Sequence, residues 1–327
     1  MVDTCEGAPP DGRVQTMEPD TPDLSIIILS WNTLELTRAC LRELSRCRER
    51  SPLRYEILVI ENASEDGSLE MIRDEFPDVR LYRNPENLGY ARAVNQGLRL
   101  ATGRRLVLLG SDTEVRPGTL ERMDRFLEEN PGVGAVAPRL VNADGSLQRA
   151  CMRFPDLKVA LYYDTFLEKF FPENRTLKRY FYKDWSHDAT RSVDQPPGTC
   201  LMVRRATYAD VGGMDRKLWL FFNDVDWCLR MRRAGWDIVY LHEGTEVLHH
   251  LGQSTGRHPA FAFVWHQNRL HFYRKHFHLM GSFIVKSAMV YVAGRELLRI
   301  RRNLEDKKEF RAHAAQLLRA LGGTLLR

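Results

Sequence analysis

LVLLGSDTEV, residues 106–115, is the stretch that decides the fold. Its first four residues are apolar and predict a buried strand of a parallel sheet, because strands covered on both faces are continuously apolar. Gly110 and Ser111 break the apolar run, and Asp112 follows at the carboxyl end of the strand, where open α/β sheets bind ligands. A carboxylate there can reach a divalent cation that holds a phosphate. The alternative is that Asp112 caps the helix that Pro117 opens.

Apolar strands alternate with helices on both sides of this stretch. Such alternation favours an α/β fold with a mostly parallel central sheet and helices on both faces. The predicted strands cover residues 24–29, 55–60, 79–82, 106–109 and 133–137, and the predicted helices cover residues 33–48, 68–76, 90–101 and 118–129.

The turn after the first strand argues against several common nucleotide-binding classes. A dinucleotide-binding unit needs G-x-G-x-x-G at this point, whereas residues 30–33 are Ser-Trp-Asn-Thr and contain no glycine. The chain also lacks the P-loop pattern G-x-x-x-x-G-K-[ST]. A sugar nucleotidyltransferase would likewise be expected to have a glycine-rich first loop.

Composition indicates a soluble globular protein, since the 327 residues are 43% hydrophobic and 28% charged. The six cysteines form no CxxC pair and are expected to be reduced and mostly buried, as in the cytoplasm. Residues 1–23 are acidic and rich in proline and glycine, so they are predicted to be disordered and do not resemble a signal peptide. No stretch of 18 apolar residues is present, and no membrane-spanning helix is expected.

The carboxyl-terminal segment, residues 266–327, is strongly basic. It has thirteen lysines and arginines against four acidic residues, although the whole chain carries a net charge of only +5. Such a segment can contact nucleic acid, anionic lipid or a polyanionic substrate, or can form a solvated helical face. Apolar residues and arginines within it are typical of a helix in a membrane interface, and packing on the domain or on a second subunit is the alternative. The apolar residues are Phe283, Ile284, Met289, Val290, Leu297, Leu298 and Ile300, and the basic ones are Arg295, Arg299, Arg301 and Arg302.

An ordered set of motifs carries a family resemblance. ILSWNTLELTRACLREL, VIENASEDGS, NLGYARAVNQG and LLGSDTEV, followed by PPGTCLMVRR, VGGMD, FFNDVDWCLRMRRAGW and VLHHLGQST, resemble the inverting family 2 glycosyltransferases. The resemblance implies a GT-A nucleotide-sugar-binding domain at residues 24–265, an acceptor-side insertion at residues 139–193 and a basic amphipathic helical extension at residues 266–327. Within the family, the DGSLQR stretch and the terminal helices resemble bacterial rhamnosyltransferases.

The resemblance implies that the ends of the first two strands bind the nucleotide. Ser30, Trp31 and Asn32 are expected to line the nucleobase pocket, although the residues alone fit a helix cap beside a core tryptophan equally well. Glu61 can accept a hydrogen bond from the imide N–H of uracil or thymine, and Asn62 can support the turn. The family more often has aspartate at the position of Glu61, which indicates an altered base pocket.

The NLGYARAVNQG segment is implied to face the nucleotide-sugar. Gly89 allows the backbone to approach a ligand closely. Arg92 and Asn95 lie three residues apart on one helix face, and Arg92 is expected to contact the diphosphate. An exposed arginine is the alternative. Ser111 is expected at the same site.

The resemblance makes Asp112 the surviving acid of a D-x-D-like metal motif, since Gly110 and Ser111 precede it. One carboxylate and the donor diphosphate can hold Mg²⁺ or Mn²⁺, with waters completing the octahedron. His250 fits the family's H-x-G-x-S pattern and is expected to be a second metal contact, which favours Mn²⁺. His249 is the alternative, because neighbouring strand residues point in opposite directions.

FFNDVDWCLRMRRAGW, residues 221–236, is implied to supply the catalytic base. The family has an acidic pair here, of which Asp224 keeps the second carboxylate while Asn223 replaces the first. Inverting transfer needs one base to remove the acceptor hydroxyl proton, and a positioned base contributes roughly 10²–10⁴-fold. The alternative is that Asp224 and Asp226 are only favourable charges at a helix N-terminus.

Aromatic residues interleaved with lysine and arginine fill much of residues 139–193. They predict either an acceptor-binding lid or a helical segment that packs its own small core. Stacking on nucleic acid has no motif support.

The motifs together predict an inverting, metal-dependent glycosyltransferase of the cytoplasm, with its terminal helices on the inner membrane surface. The preferred donor is dTDP-rhamnose, with a UDP-sugar as the alternative, and the acceptor is a hydroxyl of a cell-surface glycan or its polyprenyl-linked precursor. The missing first acid and Asn223 leave open a degenerate, non-catalytic nucleotide-sugar-binding scaffold. A nucleic-acid partner is not expected, and a basic nucleic-acid binder is the weakest hypothesis.

Overall fold

The computed structural model describes residues 21–250 and 261–303. The segment predicted to be disordered falls almost entirely on residues 1–20, which lie outside the described residues, as do residues 251–260 and 304–327. The described part of the chain forms an α/β domain followed by a long helix.

Two sheets form the β structure of the domain. The strands, numbered along the chain, are β1 (Leu24–Ser30), β2 (Tyr55–Glu61), β3 (Arg80–Arg83), β4 (Arg105–Gly110), β5 (Thr113–Val115), β6 (Val133–Pro138), β7 (Leu140–Val141), β8 (Arg191–Ser192), β9 (Cys200–Arg204), β10 (Asp237–Leu241) and β11 (Val247–His249). Within the described residues the larger sheet has the order β3-β2-β1-β4-β9-β6-β10-β8, and the smaller sheet has the order β5-β11-β7. β1 is parallel to both β2 and β4, so the carboxyl ends of these strands lie along one edge.

Helices cover both faces of the larger sheet. They are α1 (Leu34–Arg50), α2 (Ser68–Glu75), α3 (Tyr90–Leu100), α4 (Thr119–Glu129), α5 (Leu157–Tyr162), α6 (Phe166–Phe170), α7 (Arg175–Tyr180), α8 (Arg205–Val211), α9 (Asn223–Arg233) and α10 (Phe261–Asn303). Ile26 and Ile28 of β1 belong to the core beneath α1, α2 and α4, whereas Ile27 belongs to the core beneath α3 and α9. The predicted α/β architecture is confirmed.

The direction of β9 differs from the predicted parallel pattern. β9 lies between β4 and β6 and is antiparallel to both. Its residues 200–203 are buried like those of the parallel strands, because helices cover both faces at the centre of the sheet, and an apolar run does not encode direction. As a result, the amino end of β9 meets the carboxyl end of β4.

The residues that precede α1 and α4 show whether side chains cap these helices. Thr33 precedes α1 without a side-chain capping hydrogen bond, and Asp66 Oδ2 instead accepts a hydrogen bond from the Leu34 amide at 2.9 Å. Gly118, with a φ of 85°, precedes α4. Asp112 therefore does not cap the helix that follows it.

Residues 139–193 contain the short helices α5 to α7 and a small aromatic core. Tyr180, Tyr182 and Trp185 are buried, and the Tyr163 ring packs against Tyr180 with the ring centroids 5.9 Å apart. Most of the aromatic side chains in residues 139–193 therefore pack within the protein, as predicted for a helical segment with its own small core. Three phenylalanines are exposed instead, namely Phe166, Phe170 and Phe171.

The described part of the carboxyl-terminal segment, α10, consists of two helices that meet at a kink. It is interrupted at His278, whose backbone is not helical (φ 54°, ψ −137°). The predicted apolar stripe divides between two faces, since Met289 is buried while Phe283 and Val290 are exposed. By length and apolar composition alone Val264–Arg295 could cross a membrane, contrary to the expectation from the sequence, although part of it is buried in the protein.

A buried carboxylate fastens α10 to α9. Asp226 is fully buried, and Lys275 Nζ and His276 Nε2 lie 2.7 and 2.8 Å from its Oδ1, while Arg230 Nε lies 2.9 Å from its Oδ2. Burial by itself raises the pKa of Asp226, but hydrogen bonds from His276, Lys275 and Arg230 outweigh that effect and lower the pKa to about 2. Asp226 therefore joins the domain to its terminal helix.

We expect Asp226→Asn to lower the free energy of unfolding by about 3–5 kcal/mol at neutral pH, because Lys275 and Arg230 lose a buried counter-charge. The contribution of Asp226 is complete above the ordinary aspartate pKa of about 3.9 and is lost as the pH falls towards about 2. Urea unfolding from neutral pH down to about pH 3 should show the difference between wild type and variant narrowing in acid.

The control is Asp74→Asn, which removes an exposed carboxylate and should leave the unfolding curve unchanged. Equal stability of wild type and Asp226→Asn would contradict this role of Asp226. A stability difference between them that does not vary with pH would contradict it as well.

Candidate active site

A cavity of about 400 Å³ opens at the carboxyl ends of β1 and β4. This is the edge of an α/β sheet at which ligands bind. The amino-terminal ends of α3 and α9 and the loop before β9 form its other walls. Six of the residues predicted from the sequence line the cavity, namely Trp31, Asn62, Gly89, Ser111, Asp112 and Asp224.

The contact between β4 and β9 holds Asp112 in the cavity. The Gly110 amide donates to the Thr199 carbonyl (2.8 Å), and the His250 amide donates to the Asp112 carbonyl (2.9 Å). Asp112 is only 5% exposed. A Cβ at Gly110 would lie 2.8 Å from Asp112 Oδ1, so a side chain at position 110 would displace that carboxylate. Gly110, at the position of the motif's first acid, leaves this space to the carboxylate of Asp112.

His249, rather than His250, lines the cavity. His249 Nε2 lies 3.7 Å from Asp112 Oδ2, and its Nδ1 lies 2.9 Å from Gln148 Oε1. The imidazole of His250 contacts Glu114 instead, with Nε2 2.9 Å from Oε1. The expected position of His250 is therefore corrected to His249, in keeping with the alternation of neighbouring residues along a strand.

Asp224 lies in the wall formed by α9. The Gly198 amide donates to its Oδ2 (3.3 Å), and the Val225 amide donates to its Oδ1 (2.8 Å). Burial raises the pKa of this carboxyl group, and the two amide donors oppose the shift only in part. The Asn223 side chain donates to the Leu220 carbonyl (2.6 Å) and so fixes the first turn of the helix. A carboxylate with a raised pKa is a stronger base.

The carboxylates of Asp112 and Asp224 both affect the pKa of Tyr90. Its hydroxyl donates to the Gly198 carbonyl at 3.3 Å. Burial raises the pKa of Tyr90, and the negative charges of Asp224 and Asp112 raise it further. Two acids that are far apart in the chain thus act on one phenol in a shared cavity.

Glu61 does not line the cavity, although its neighbour Asn62 does, and Glu61 carries an unsatisfied acceptor. Glu61 is fully buried, and its Oε1 accepts a hydrogen bond from the Ser64 amide (2.6 Å). Its Oε2 is buried without a hydrogen-bond partner among the described residues. Such an oxygen is costly to leave unpaired, and an imide N–H of a pyrimidine base can satisfy it. The neighbouring Asn62 lines the cavity and accepts from the Leu88 amide (3.1 Å).

Two predicted ligand contacts are buried structural residues. The Asn95 side chain exchanges two hydrogen bonds of 2.8 Å with the backbone of Met214. Ser30 is fully buried, with its hydroxyl 3.1 Å from the hydroxyl of Thr37. Neither Asn95 nor Ser30 lines the cavity, because both side chains are directed into the packing of the domain.

Two further predicted contacts lie at the protein surface. Asn32, with a φ of 51°, accepts a hydrogen bond from the Glu65 amide (2.8 Å) in a surface turn. Arg92 is exposed on α3 and is not among the cavity-lining residues. The alternative of an exposed arginine therefore describes Arg92.

Sequence reasoning misses Trp219 and Gly198. A Cβ at Gly89 would lie 2.3 Å from Trp219 Cδ1, and the Tyr90 amide donates to the Trp219 carbonyl (2.6 Å). The group that approaches Gly89 closely is therefore the indole ring of Trp219, whereas the sequence predicted a ligand there. The PPGT motif indicated Gly198, whereas no local sequence pattern indicated Trp219.

Asp112 and His249 form a donor pair that fits a divalent cation shared with a diphosphate. A carboxylate oxygen and an imidazole nitrogen meet at the cavity wall, and this donor set suits Mn²⁺. Within residues 21–250 and 261–303, no group of three His, Cys, Asp or Glu side chains is arranged to hold a metal. Substrate oxygens and water would supply the other ligands.

Asp112 and Asp224 line one cavity at the carboxyl ends of parallel strands in an α/β domain. The chain belongs to glycosyl transferase family 2, whose family model matches residues 25–211. Among its curated relatives, an N-acetylglucosaminyl-diphospho-decaprenol L-rhamnosyltransferase of Mycobacterium tuberculosis is 28% identical over 257 residues, covering 75% of this chain and 82% of that protein. The predicted family, and the similarity to its rhamnosyltransferase-like branch, are confirmed.

Solved structures of other glycosyltransferases share the fold. The mannosyltransferase PcManGT from Pyrobaculum calidifontis, in complex with GDP-Man and Mn²⁺, has a TM-score of 0.52 at 17% identity, covering 94% of this chain and 87% of that chain. GalNAc-T7, solved with UDP, GalNAc and Mn²⁺, has a TM-score of 0.57 at 14% identity, covering 91% of this chain and 55% of that chain.

Proposed function

We propose that the protein is an inverting, cation-dependent glycosyltransferase that moves rhamnose from dTDP-rhamnose to a hydroxyl of a lipid-linked glycan precursor. The observation that carries the proposal is that Asp112, His249 and Asp224 line one cavity. The mycobacterial relative supports this choice of sugar and acceptor. A UDP-sugar is the alternative donor, because Glu61 can pair with the imide N–H of uracil as well as that of thymine.

Asp224 is the base in this proposal. Its ionised carboxylate removes the proton of the acceptor hydroxyl as the oxygen attacks the sugar carbon and the bond to the diphosphate breaks. The amides of Gly198 and Val225 hold both carboxylate oxygens, so the base has a fixed orientation before the acceptor arrives. Burial, which raises its pKa, also strengthens it as a base.

Asp112 and His249 would hold the cation, and Glu61 would hold the base of the donor. When bound, the cation supplies positive charge that neutralises the leaving diphosphate. Trp31 lines the cavity near the nucleotide end, where its ring provides an apolar surface for the donor.

A non-catalytic scaffold is less well supported than an enzyme. The missing first acid of the metal motif motivates that hypothesis, but the remaining acid, Asp112, lines the cavity. Asp224 also keeps its carboxylate in the cavity.

We also infer that the protein lies on the cytoplasmic face of a membrane through α10. Leu279 and Phe283 are 87% and 72% exposed, and Met280 and Val290 continue the apolar surface. A helix that is apolar on both its buried and exposed faces needs a second apolar environment. Surface attachment is favoured over a membrane span, because the buried charges around Asp226 would otherwise have to separate.

Asp224→Asn should reduce kcat for transfer from dTDP-rhamnose by roughly 10²–10⁴-fold, because the base is lost while the amide keeps the shape of the side chain. Donor binding, measured as protection against thermal unfolding, should be retained. In the wild type, kcat/KM should fall as the pH drops towards a pKa that lies above the ordinary aspartate value of about 3.9.

Asp188→Asn serves as the control, since Asp188 is exposed and outside the cavity. Normal turnover of Asp224→Asn would refute the assignment of the base. Protection by UDP-sugars without protection by dTDP-rhamnose would replace the proposed donor.

His249→Ala should weaken the activation of transfer by Mn²⁺ by about 10–100-fold, the size typical for disturbing a metal site. His250→Ala is the matched control and should leave the Mn²⁺ dependence unchanged, because its imidazole contacts Glu114. Titration of initial rates with Mn²⁺ measures both. The opposite ranking of the two variants would return the metal contact to His250.

The double variant Leu279→Ser and Phe283→Ser should bind vesicles that contain phosphatidylglycerol more than about tenfold more weakly than wild type, since two large apolar side chains lose their burial in lipid. Co-sedimentation measures this binding. The control variant Glu65→Ser and Arg99→Ser changes two exposed residues elsewhere and should bind like wild type. Equal binding by all three proteins would argue against attachment through α10.

A further inference from the structure

A second cavity, of about 520 Å³, lies between α5, α7 and the segment that precedes α5. Its size is in the range of small-molecule binding sites. We name it the cation pocket because four of its lining side chains are positively charged, namely Arg153, Lys158, Arg175 and Arg179.

The two carboxylates that line the cation pocket form no ion pair with its four cations. Asp156 Oδ1 accepts a hydrogen bond from the Val159 amide (2.8 Å), and Asp194 Oδ2 accepts one from the Phe154 amide (3.0 Å). Within the described part of the chain none of the four cations forms an ion pair, and the buried Nε of Arg153 has no hydrogen-bond partner. Lys158, Arg175 and Arg179 are exposed, and an anion bound among the four cations would lower the repulsion between their like charges.

The cation pocket adjoins the wall of the active site that carries the base. Tyr180 lines the pocket, and a chain of ring contacts leads from Tyr180 to Tyr163 (5.9 Å), Trp265 (5.6 Å) and Phe222 (5.8 Å). Phe222 precedes Asp224 by two residues. Burial, the neighbouring Tyr163 and the charge of Asp224 all raise the pKa of Tyr180, so the base acts electrostatically on the wall of the pocket.

Exposed apolar residues lie beyond the cation pocket. α6, which follows α5 and packs against it, carries the exposed Phe166 and Phe170, and Phe171 follows directly. The Phe166 ring packs against Tyr291 of α10, with the centroids 5.6 Å apart. The apolar surface of α6 therefore continues onto the helix that carries the exposed Phe283.

We propose that the cation pocket binds the diphosphate group of the acceptor. This inference rests on the proposed function, in which the acceptor is a sugar joined through diphosphate to a polyprenyl chain. Such a molecule presents a hydroxyl, a sugar ring, a diphosphate and an apolar chain in that order. The protein presents Asp224, the cation pocket and the exposed phenylalanines in the same order. Arginine suits this role, because its planar guanidinium donates two parallel hydrogen bonds to phosphate oxygens.

The test compares Arg175→Gln/Arg179→Gln with the control Lys178→Gln/Lys183→Gln. The control removes the same charge from the same region, at exposed residues that do not line the cation pocket. Calorimetry measures the binding of two probes, a short-chain polyprenyl-diphosphate-linked N-acetylglucosamine and an alkyl N-acetylglucosaminide. The arginine variant should bind the diphosphate probe at least about tenfold more weakly and the alkyl probe unchanged, because only the former loses charge-assisted hydrogen bonds. The lysine variant should bind both like wild type.

Equal affinity of wild type and arginine variant for the diphosphate probe would overturn the proposal, as would equal losses for both probes. Inorganic diphosphate is the third probe, titrated without divalent cation. If the arginine substitutions weaken its binding but not that of the acceptor, the pocket serves a free anion and the acceptor assignment is wrong. Binding is measured here without turnover, so a failure of sugar transfer would count against the proposed function alone. Rate measurements then add a second readout, in which KM for the acceptor rises while KM for the donor is unchanged.

Discussion

The antiparallel contact between β4 and β9 is the constraint on which the active site depends. β4 ends at Gly110, two residues before Asp112, and the loop that leads into β9 contains Gly198, whose amide donates to Asp224. The hydrogen bond from the Gly110 amide to the Thr199 carbonyl joins these two ends at 2.8 Å. Strands of opposite direction bring a carboxyl end and an amino end to the same edge. The part of the chain that carries Asp112 therefore meets the part that carries Asp224.

The first turn of α9 divides its acids between two tasks. Asp224 and Asp226 are two residues apart, which places them about 200° apart around a helix. Asp224 is directed into the cavity, and Asp226 is directed towards α10. Their environments differ accordingly, since burial raises the pKa of Asp224, whereas at Asp226 hydrogen bonds from His276, Lys275 and Arg230 outweigh burial and lower the pKa. One carboxylate thus lines the cavity while the other joins two helices.

Local patterns in the sequence were enough for some features and not for others. The apolar runs of β1, β2 and β4 and the helices between them follow from periodicity, and the ordered motifs located Asp112 and Asp224 at the cavity. The choice between His249 and His250 depends on the register of β11, in which His249 pairs with Thr113 of β5, and no local pattern encodes that distant pairing. Asn95 and Ser30 carry the right chemistry but are directed into the domain, which only tertiary packing determines.

The fastening of α10 to Asp226 makes the carboxyl-terminal extension inseparable from the catalytic half of the protein. A chain shortened before Lys275 would leave the carboxylate of Asp226 buried with Arg230 as its one remaining partner among the described cations that now surround it. The unbalanced charge would lie within one helical turn of Asp224. Removing this part of the extension would therefore change the electrostatic environment of the proposed base. A shortening that removes Lys275 and His276 would therefore call for a change at position 226 as well.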